Sequence, residues 1–572
     1  MDTAWIKRMS IAAVLLTGAL TGAAATVVAG QAGVRWFADR PVAWNEYDDA
    51  DVPAAPAPNH LQTLTTALTI RDSVANEADR ILSLEGPLPA EDVNAADEVP
   101  CSTWFCARNH LRPMSAEEIA TGPSVVAPRL PLTIVKGKDL GAASGYQVKD
   151  AAGRKYMLKF DVAGHLGMAN AGEMIGNRIF HAAGYNVPGA LSIDLDVADL
   201  KAAPTATYLL YRVQKRPLTN AQVRATLSKV AHLPDGRIRA VVVPWIAGNI
   251  LGGFDMLGVR SDDPNDRIPH QHRRSVRASW LLFAWLSVLD PSSINTIDTY
   301  VEEGGRHLVR HYFFDFGCAF GSATIYAQGL QEDGEYVVEV GRTVGALFSL
   351  GLYRRPFQDQ RAEWQRLTTE HPALGYFPAE SFDPDNFRTN KKVPSHMRLT
   401  ERDAYWGAKL VTAFSDEQIA AVVAAARLPE ADARYIDWGL RVRRDIIGRR
   451  YLRAVAAVEG PSMAPDGTRV CFEDLAIARG YAQPAEVRYE IEADDGFGNR
   501  IASYEQEATG PAACVPIGGA EKGSGYRAIS VRSRFVGAAG HEGVHVGKAT
   551  RVHLRWRASI GRFVVVGLER DE

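Results

Sequence analysis

The sequence predicts an α+β protein made of two lobes, followed by a C-terminal all-β domain of the sandwich type. Over residues 131–250, short strand patterns broken by glycine-containing turns indicate a sheet with one main helix. Residues 251–455 carry mainly helical patterns, and residues 456–572 return to strands separated by Gly-rich turns. These changes of pattern divide the chain into a small mixed lobe, a larger helical lobe and a β domain.

Length and charge leave the fold open but exclude one class of partner. The chain has 572 residues, enough for several domains with large cores. Its formal net charge is −3 at pH 7, so it lacks the overall positive field that attracts DNA or RNA. We therefore expect no nucleic-acid partner.

The N-terminal 34 residues have the pattern of a targeting segment. Lys7 and Arg8 precede an uncharged stretch, residues 9–34, that is rich in Ala, Leu and Val. This stretch is either a secretory signal peptide or an uncleaved anchor, because about 20 apolar residues span a bilayer. A buried N-terminal helix of a cytoplasmic protein is the third interpretation. We predict export, with the main body periplasmic or held outside the cytoplasm by a membrane anchor.

Residues 35–130 are predicted to form a linker and a helical arm. The Pro- and Ala-rich "DDADVPAAPAPNH" indicates the linker. The following "LQTLTTALTIRDSVANEADRILSLEG" has the spacing of one amphipathic helix that ends at Gly86. This region therefore precedes the two lobes as a stalk or an arm.

The five cysteines suggest two disulfides and one thiol. Cys101 with Cys106 would close a short loop, and Cys471 with Cys514 would link two segments of the β domain, which leaves Cys318. This arrangement suits an oxidising compartment. No grouping of Cys and His has the spacing of a structural zinc site.

The elements of the mixed lobe follow from turn and cap signals. "DAAG" is the hairpin turn between the strands "YQVK" and "RKYMLKF". The segment "NAGEMIGNRIFHAAGYNVP" predicts a helix with Asn170 as its N-cap, Gly184 as its end and Pro188 beyond. Three further strands and one helix are expected in "ALSIDLDV", "ATYLLYRV", "IRAVVVPWIAG" and "NAQVRATLSKVAHL".

The helical lobe and the β domain are assigned from their periodicities. Helices are predicted in "HRRSVRASWLLFAWLSVL", "ERDAYWGAKLVTAF", "SDEQIAAVVAAARL" and "ARYIDWGLRVRRDIIGRRYLRAV". Strands of the β domain are predicted in "EVRYEIEADD", "RAISVRSRFVG", "RVHLRWRAS" and "RFVVVGLER".

Three polar residues cluster around the most apolar helix of the chain. Asp290 follows directly after that helix, and Asn295 completes a D-x-x-x-x-N spacing. The segment "TYVEEGGRHLVRHYFF" predicts a hairpin whose second strand delivers Asp315, in "DFG", to the same edge. Two carboxylates and one carboxamide suit Mg²⁺, which prefers oxygen ligands. The alternative is that Asp290 starts an Asx-turn before Pro291 and that Asn295 is a second turn residue.

Two charged residues of the mixed lobe are candidate partners of this cluster. Lys159 lies on the strand "RKYMLKF", on the face opposite Tyr156 and Phe160, and Glu173 lies in the helix that follows. Alternatively, Lys159 is an ordinary exposed lysine, and Glu173 completes a capping box opened by Asn170.

In their order along the chain, these residues resemble the protein-kinase-like superfamily. Lysine, glutamate, D-x-x-x-x-N and DFG follow one another as in kinases. The segments "LKFD", "AAGYNVP", "PHQHRR", "NTIDTYV" and "HYFFDFG" resemble a group of exported bacterial proteins related to atypical kinases such as HipA and the lipid kinases. The resemblance covers about residues 130–455 and implies a two-lobed kinase-like domain, with an N-lobe at 131–250 and a C-lobe at 251–455. The HRD, GxGxxG and APE motifs of ordinary protein kinases are absent from the sequence.

The resemblance also implies roles for the site residues. Asp290 would orient or deprotonate the acceptor, while Asn295 and Asp315 would hold Mg²⁺. Lys159 would contact the α- and β-phosphates of ATP, and Glu173 would position that lysine.

A phosphate loop is predicted in "GKDLGAASGY". There, Gly141, Ser144 and Gly145 would direct backbone N–H groups at the phosphates, unless the segment is an ordinary glycine turn.

The predicted activity is transfer of the γ-phosphoryl group of ATP, with Mg²⁺, to an unknown hydroxyl on a protein, lipid or glycan. The competing prediction is a non-catalytic, pseudokinase-like binding module of the cell envelope, since ATP is scarce in a bacterial periplasm. Stabilisation by Mg²⁺ and ATP separates a nucleotide-binding protein from a scaffold without a nucleotide site.

Overall fold

A computed structural model describes most of the chain. The residues described are 37, 48–61, 64–76, 78, 88–138, 141–210, 214–332, 334–337, 342, 347–349, 353, 355–519, 525–536 and 545–572. The predicted signal peptide or anchor at 1–34 and the predicted helix end at Gly86 lie outside these residues. Within them, no helix combines the length and the apolar character needed to cross a membrane.

In the described part of the N-terminal arm there are two short helices, α1 (Thr65–Ile70) and α2 (Ala116–Thr121). A π-helical turn, Arg71–Ala75, continues α1. Backbone hydrogen bonds hold the arm against the helical lobe. For example, the Val52 N–H donates to the His307 carbonyl at 2.9 Å. The described parts of the arm are therefore packed against the lobes.

The mixed lobe is built on one sheet of seven strands. Their bounds are β1 Leu132–Gly137, β2 Gly145–Lys149, β3 Lys155–Phe160, β4 Leu191–Leu195, β5 Leu200–Leu210, β6 Gln214–Pro217 and β7 Ile238–Pro244. The strand order is β4-β7-β3-β2-β1-β5-β6. Only the β1–β5 pair is parallel within this sheet as described. The "DAAG" turn joins β2 to β3 as predicted.

Helices α3 (Met168–Ala183) and α4 (Asn220–Leu227) contribute to different apolar cores beside this sheet. Leu158 and Phe160 of β3 share one core with α4. The opposite face of the sheet contributes Val241 to the core that contains α3. Successive side chains of a strand point to opposite faces of the sheet. Lys159, which lies between Leu158 and Phe160, therefore points to the face that packs against α3.

The predicted N-cap of α3 is wrong. The helix begins after Gly167, and Asn170 lies inside it. The carboxylate of Asp161 accepts the backbone N–H groups of Gly167 (2.7 Å), Ala169 (2.9 Å) and Asn170 (3.0 Å). The side chain of the residue just after β3 thus satisfies the first turn of α3, which local sequence spacing does not reveal.

A second, three-stranded sheet begins the helical lobe. Its strands are β8 (Asn249–Gly252), β9 (Thr296–Glu303) and β10 (Arg306–Phe313), in the order β10-β9-β8. The hairpin of β9 and β10 forms as predicted, with Thr296 opposite Phe313. The boundary predicted between residues 250 and 251 falls inside β8.

The helices of this lobe surround a buried apolar segment. They are α5 Arg274–Arg277, α6 Ser279–Leu286, α7 Arg361–Glu370, α8 Glu401–Thr412, α9 Asp416–Ala425 and α10 Glu430–Tyr451. Helix α6 is apolar on every side, as a helix in the centre of a core is expected to be. Its Trp285 is fully buried and donates from Nε1 to the Leu440 carbonyl of α10 at 2.8 Å.

The C-terminal region contains two antiparallel sheets and one short helix. The elements are β11 Val458–Met463, β12 Arg469–Asp474, α11 Leu475–Ala478, β13 Val487–Asp495, β14 Arg500–Glu507, β15 Ala512–Pro516, β16 Tyr526–Phe535, β17 His545–Val546, β18 Thr550–Arg557 and β19 Arg562–Arg570. The sheet orders are β11-β12-β15 and β14-β13-β16-β18-β19, with β17 beside β16.

Both predicted disulfides are present. Cys101 is bonded to Cys106, and Cys471 to Cys514, which face each other on β12 and β15. Cys318 is a free thiol. The second disulfide thus joins neighbouring strands of one sheet.

A buried charge cluster joins the arm, the helical lobe and the β region. Asp97 of the arm accepts hydrogen bonds from Arg274 (2.8 Å), Arg402 (2.8 Å) and Arg570. Each of these four side chains is at most 6% exposed. Since an unpaired buried charge is costly, the three regions depend on one another for stability.

Candidate functional site

The candidate site lies where the mixed lobe meets the helical lobe, and its centre is Lys159. The Lys159 ammonium donates to Glu173 Oε2 of α3 at 2.7 Å. Both residues are buried, at 6% and 1% exposure. The capping-box alternative for Glu173 is not realised, because α3 starts before Asn170 and Glu173 pairs with the strand instead.

Lys159 also reaches the helical lobe. Its ammonium donates to Asp315 Oδ1 at 2.8 Å, across 156 residues of sequence. Asp315 follows β10 and has a left-handed backbone, with φ of 63°. Such a conformation is uncommon for a residue other than glycine and favours short polar side chains such as Asp. Asp315 lies where the chain leaves the hairpin of β9 and β10.

Close packing brings Asp315 and α3 together. Phe316 lies against two glycines of α3, since a Cβ placed at Gly176 would be 2.6 Å from the Phe316 Cβ. A Cβ placed at Gly172 would be 2.6 Å from the Phe316 carbonyl oxygen. The absence of side chains on these glycines lets the DFG segment dock on the helix that carries Glu173.

The charges of this cluster stabilise one another. Burial alone would lower the pKa of Lys159, but the carboxylates of Asp315 and Glu173 outweigh it and raise the pKa. Burial alone would raise the pKa of Asp315, but Lys159 and Lys138 lower it to about 2. Asp315 is therefore ionised near neutral pH.

The predicted phosphate loop lies beside the same lysine. Gly145 pairs with Lys159 in the sheet, and the Lys138 N–H donates to the Gly145 carbonyl at 3.1 Å. Any Cβ on Gly145 would overlap the Leu158 carbonyl oxygen, so glycine is required there. The Ser144 carbonyl accepts from the Phe160 N–H at 3.0 Å.

This loop contributes a lysine that the sequence prediction missed. The Cβ position of Gly141, whose φ is 82°, lies 2.8 Å from Lys138 Nζ and 3.9 Å from Asp315 Oδ2. Burial lowers the pKa of Lys138, and the charge of Asp315 opposes that shift. Lys138 therefore faces the site together with Lys159.

The loop that follows α6 is held by its own polar groups. The Asn295 side-chain amide donates to the Asp290 carbonyl at 2.7 Å, and the Ser292 N–H donates to that carbonyl at 3.0 Å. The Phe314 N–H donates to the Asn295 carbonyl at 3.1 Å, which ties this loop to the end of β10. Asn295 is thus a turn residue, as the alternative prediction held, and its role as a metal ligand stays a prediction.

The Asp290 carboxyl takes no part in an Asx-turn within the described structure. Its Oδ1 accepts from the Ser292 hydroxyl at 3.4 Å. Burial raises the pKa of Asp290, Lys391 opposes this, and the nearby charge of Asp315 raises it further. Lys391 Nζ lies 3.7 Å from Asp290 Oδ1 and is the second lysine that the sequence prediction missed.

The site offers oxygen ligands rather than a preformed metal cage. In the described parts of the chain, no group of three or more His, Cys, Asp and Glu side chains is arranged to hold a metal ion. Asp315 and Asn295 contribute a carboxylate and a carboxamide. In proteins, a Mg²⁺ ion that is bound by few side chains completes its coordination with phosphate oxygens and water.

Comparisons with known proteins give little further information. No protein-family model matches the chain, and no curated protein matches it in sequence. A crystal structure of the Golgi casein kinase aligns with 70% of this chain and 92% of its own, at 6% identity and a TM-score of 0.27. A likeness at this level shows neither the fold nor the function of this chain.

Proposed function

We propose that the chain is a kinase-like phosphotransferase that moves the γ-phosphoryl group of ATP, with Mg²⁺, to a hydroxyl. One observation carries the proposal. Lys159 bridges Glu173 (2.7 Å) and Asp315 (2.8 Å), and the pKa of the separate carboxyl group Asp290 is raised by burial and, to a smaller extent, by the charge of Asp315. A lysine, two acidic positions from different lobes and a separate carboxyl group are the parts that phosphoryl transfer requires.

The donor atoms fit Mg²⁺. Asp315 is ionised, with a pKa of about 2. Asn295 carries a neutral amide oxygen, and its backbone carbonyl accepts from the N–H of Phe314, the residue before Asp315. Asp315 and Asn295 would hold the ion. When bound, Mg²⁺ neutralises charge on the phosphates.

The positively charged residues bind the donor. Lys159 and Lys138 lie beside Asp315 and would contact the phosphates of ATP. The backbone of the loop at Gly141, Ser144 and Gly145 would cover those phosphates. Glu173 fixes the position of Lys159, because its 2.7 Å contact is made from the rigid helix α3.

Asp290 would receive the proton of the acceptor hydroxyl. A general base works best when its pKa approaches the working pH, and burial shifts Asp290 in that direction. The side chain is 29% exposed, so a hydroxyl can approach it. We propose that the acceptor belongs to a protein, lipid or glycan outside the cytoplasm, reached by a protein that is secreted or tethered through residues 9–34.

Nucleotide binding tests this proposal directly. The melting temperature of the full-length protein should rise with ATP and Mg²⁺ together, since a ligand at 100 times its Kd stabilises by about 2.7 kcal/mol. Chelation of Mg²⁺ should remove the effect. Formation of ADP should accompany binding.

Two other outcomes are informative. Stabilisation by Mg²⁺ and ATP without any ADP formation would favour the non-catalytic binding module. A melting temperature that does not respond to nucleotide, together with no ADP formation, would contradict the phosphotransferase.

A further inference from the structure

The loop at residues 388–393 lies along the acceptor side of the candidate site. The Asn390 N–H donates to the carbonyl of Leu289, the residue before Asp290, at 2.7 Å. The Thr389 hydroxyl donates to the Lys391 carbonyl at 2.6 Å. The Val337 N–H donates to the Asn390 carbonyl at 2.9 Å. Backbone contacts on both sides therefore fix Lys391 relative to Asp290.

The Lys391 ammonium is close to Asp290 without being bonded to it. The distance from Nζ to Asp290 Oδ1 is 3.7 Å, longer than a hydrogen bond. The side chains are 17% and 29% exposed, so both reach the open part of the site. An ammonium group has three donors, which leaves it able to bind an anion beside Asp290.

The Lys391 charge acts on two carboxylates, Asp290 and Asp72. This positive charge opposes the rise in pKa that burial imposes on Asp290, and it does the same for Asp72 of the arm. The charge of Asp315 also acts on Asp290 and raises its pKa. Lys138 and Lys159, in contrast, act on Asp315. The site therefore has ammonium groups at two places, Lys138 and Lys159 beside Asp315 and Lys391 beside Asp290.

We infer that Lys391 binds the γ-phosphoryl group as it moves to the acceptor. This inference rests on the proposed function. The acceptor oxygen forms a bond to Pγ, the bond from Pγ to the β,γ-bridging oxygen breaks, and ADP leaves with that oxygen. The acceptor proton passes to the Asp290 carboxylate. Lys391 stays protonated and donates to the oxygens of the transferred group, where negative charge is greatest.

This role distinguishes the γ-phosphoryl group from the rest of the nucleotide. Lys391 should contribute to binding of a triphosphate but not to binding of a diphosphate. Lys138, beside Asp315, should contribute to both. If Lys391 had only a structural role, its substitution would not change affinity for the triphosphate without changing affinity for the diphosphate.

The test is calorimetric titration of the full-length protein with Mg²⁺ and either ADP or a non-hydrolysable ATP analogue with an imido β,γ-bridge. In Lys391→Gln, affinity for the analogue should fall roughly 10- to 100-fold, the effect of one lost charge-assisted hydrogen bond. Affinity for ADP should stay unchanged. Lys392→Gln is the matched control, because this neighbour lies over the Tyr336 ring, 5.5 Å from its centroid.

Three results would overturn the inference, and each can be told apart. If Lys391→Gln binds the analogue as tightly as the parent, Lys391 does not touch the γ-phosphoryl group. If both affinities fall equally in a variant with unchanged melting temperature, the charge acts on the whole nucleotide. If the parent protein binds neither nucleotide, the proposed function itself has failed, and the role of Lys391 fails with it.

Discussion

Lys159 Nζ and Asp315 Oδ1 lie 2.8 Å apart, although 156 residues separate them in the sequence. The lysine belongs to the sheet of the mixed lobe and the aspartate to the end of the hairpin in the helical lobe. Their contact closes the two lobes onto each other. Because Lys159 holds Glu173 as well, a single buried ammonium joins β3, α3 and the DFG segment.

Substitutions of the two aspartates should separate binding from turnover. Asp315→Ala removes a carboxylate from the predicted metal site, so binding of ATP in the presence of Mg²⁺ should be lost. Asp290→Ala should still bind ATP with Mg²⁺, while turnover falls roughly 10²-fold or more, the scale of lost general-base assistance. Calorimetry and ADP release measure the two effects. Unchanged far-ultraviolet circular dichroism must first show that both variants are folded.

The pH dependence of turnover should report Asp290. Burial raises its pKa, so kcat/KM should rise with pH along a limb that lies above the ordinary aspartate pKa of about 3.9. Lys391 lowers that pKa, so Lys391→Gln should move the limb to higher pH. A limb that stays in place in Lys391→Gln would show that another group titrates.

Gly145 should be intolerant of a side chain. In Gly145→Ala, the new methyl group would overlap the Leu158 carbonyl, a backbone atom that cannot move freely. We expect destabilisation of about 1–3 kcal/mol or more, the range found for overpacking. Gly510→Ala is the control, because a Cβ there meets nothing within 4 Å. Equal melting temperatures for the two variants would contradict the close approach of β2 and β3.

Asp97→Asn should destabilise the whole protein. Burial alone would raise the pKa of Asp97, but Arg274, Arg402 and Arg570 outweigh it and lower the pKa. Breaking such a buried cluster costs about 3–5 kcal/mol. The control is Asp235→Asn, which removes an exposed pair with Arg237 and should change little.

The sign of the pH effect follows from the lowered pKa of Asp97. Its stabilisation is complete above the unfolded-state pKa of about 3.9 and is lost as the pH falls through the lower folded-state pKa. The parent protein should therefore lose stability in acid faster than Asp97→Asn does. Urea unfolding at several pH values measures both quantities. Parallel pH curves for parent and variant would contradict the ionised cluster.

Part of the site could be predicted because its residues lie in local patterns. Lys159 alternates with apolar residues on one strand, and Asp315 ends a clear hairpin. Lys138 belongs to the loop "GKDLGAASGY", in which the glycines are the only sequence signal. Only the fold shows that the Lys138 side chain lies near Asp315. No sequence pattern around Lys391 indicates a place in the site. Lys391 follows Asp290 by about a hundred residues, in an irregular segment, and only tertiary structure brings the two together.

The role of the arm could not be predicted for a related reason. A sequence shows Asp97 and Arg402 as charged residues, which are usually exposed, whereas here they are 1% and 6% exposed in their side chains. Burying a charged side chain costs little free energy only when it pairs with groups of opposite charge, which here lie on other elements of the fold. The sequence pattern indicates a stalk or arm before the lobes, and the structure shows that Asp97 of this arm is buried among arginines of the helical lobe and the β region.

The pairing of Asp97 with Arg570 has a consequence for the time course of synthesis. The two residues are 473 positions apart, so the ribosome must add 473 residues before the last arginine of the cluster exists. At about 5–20 residues per second, this takes between about 24 and 95 s. Throughout that interval the nascent chain carries a carboxylate that lacks one of its partners. The buried charge cluster can therefore be completed only after the β region has been made.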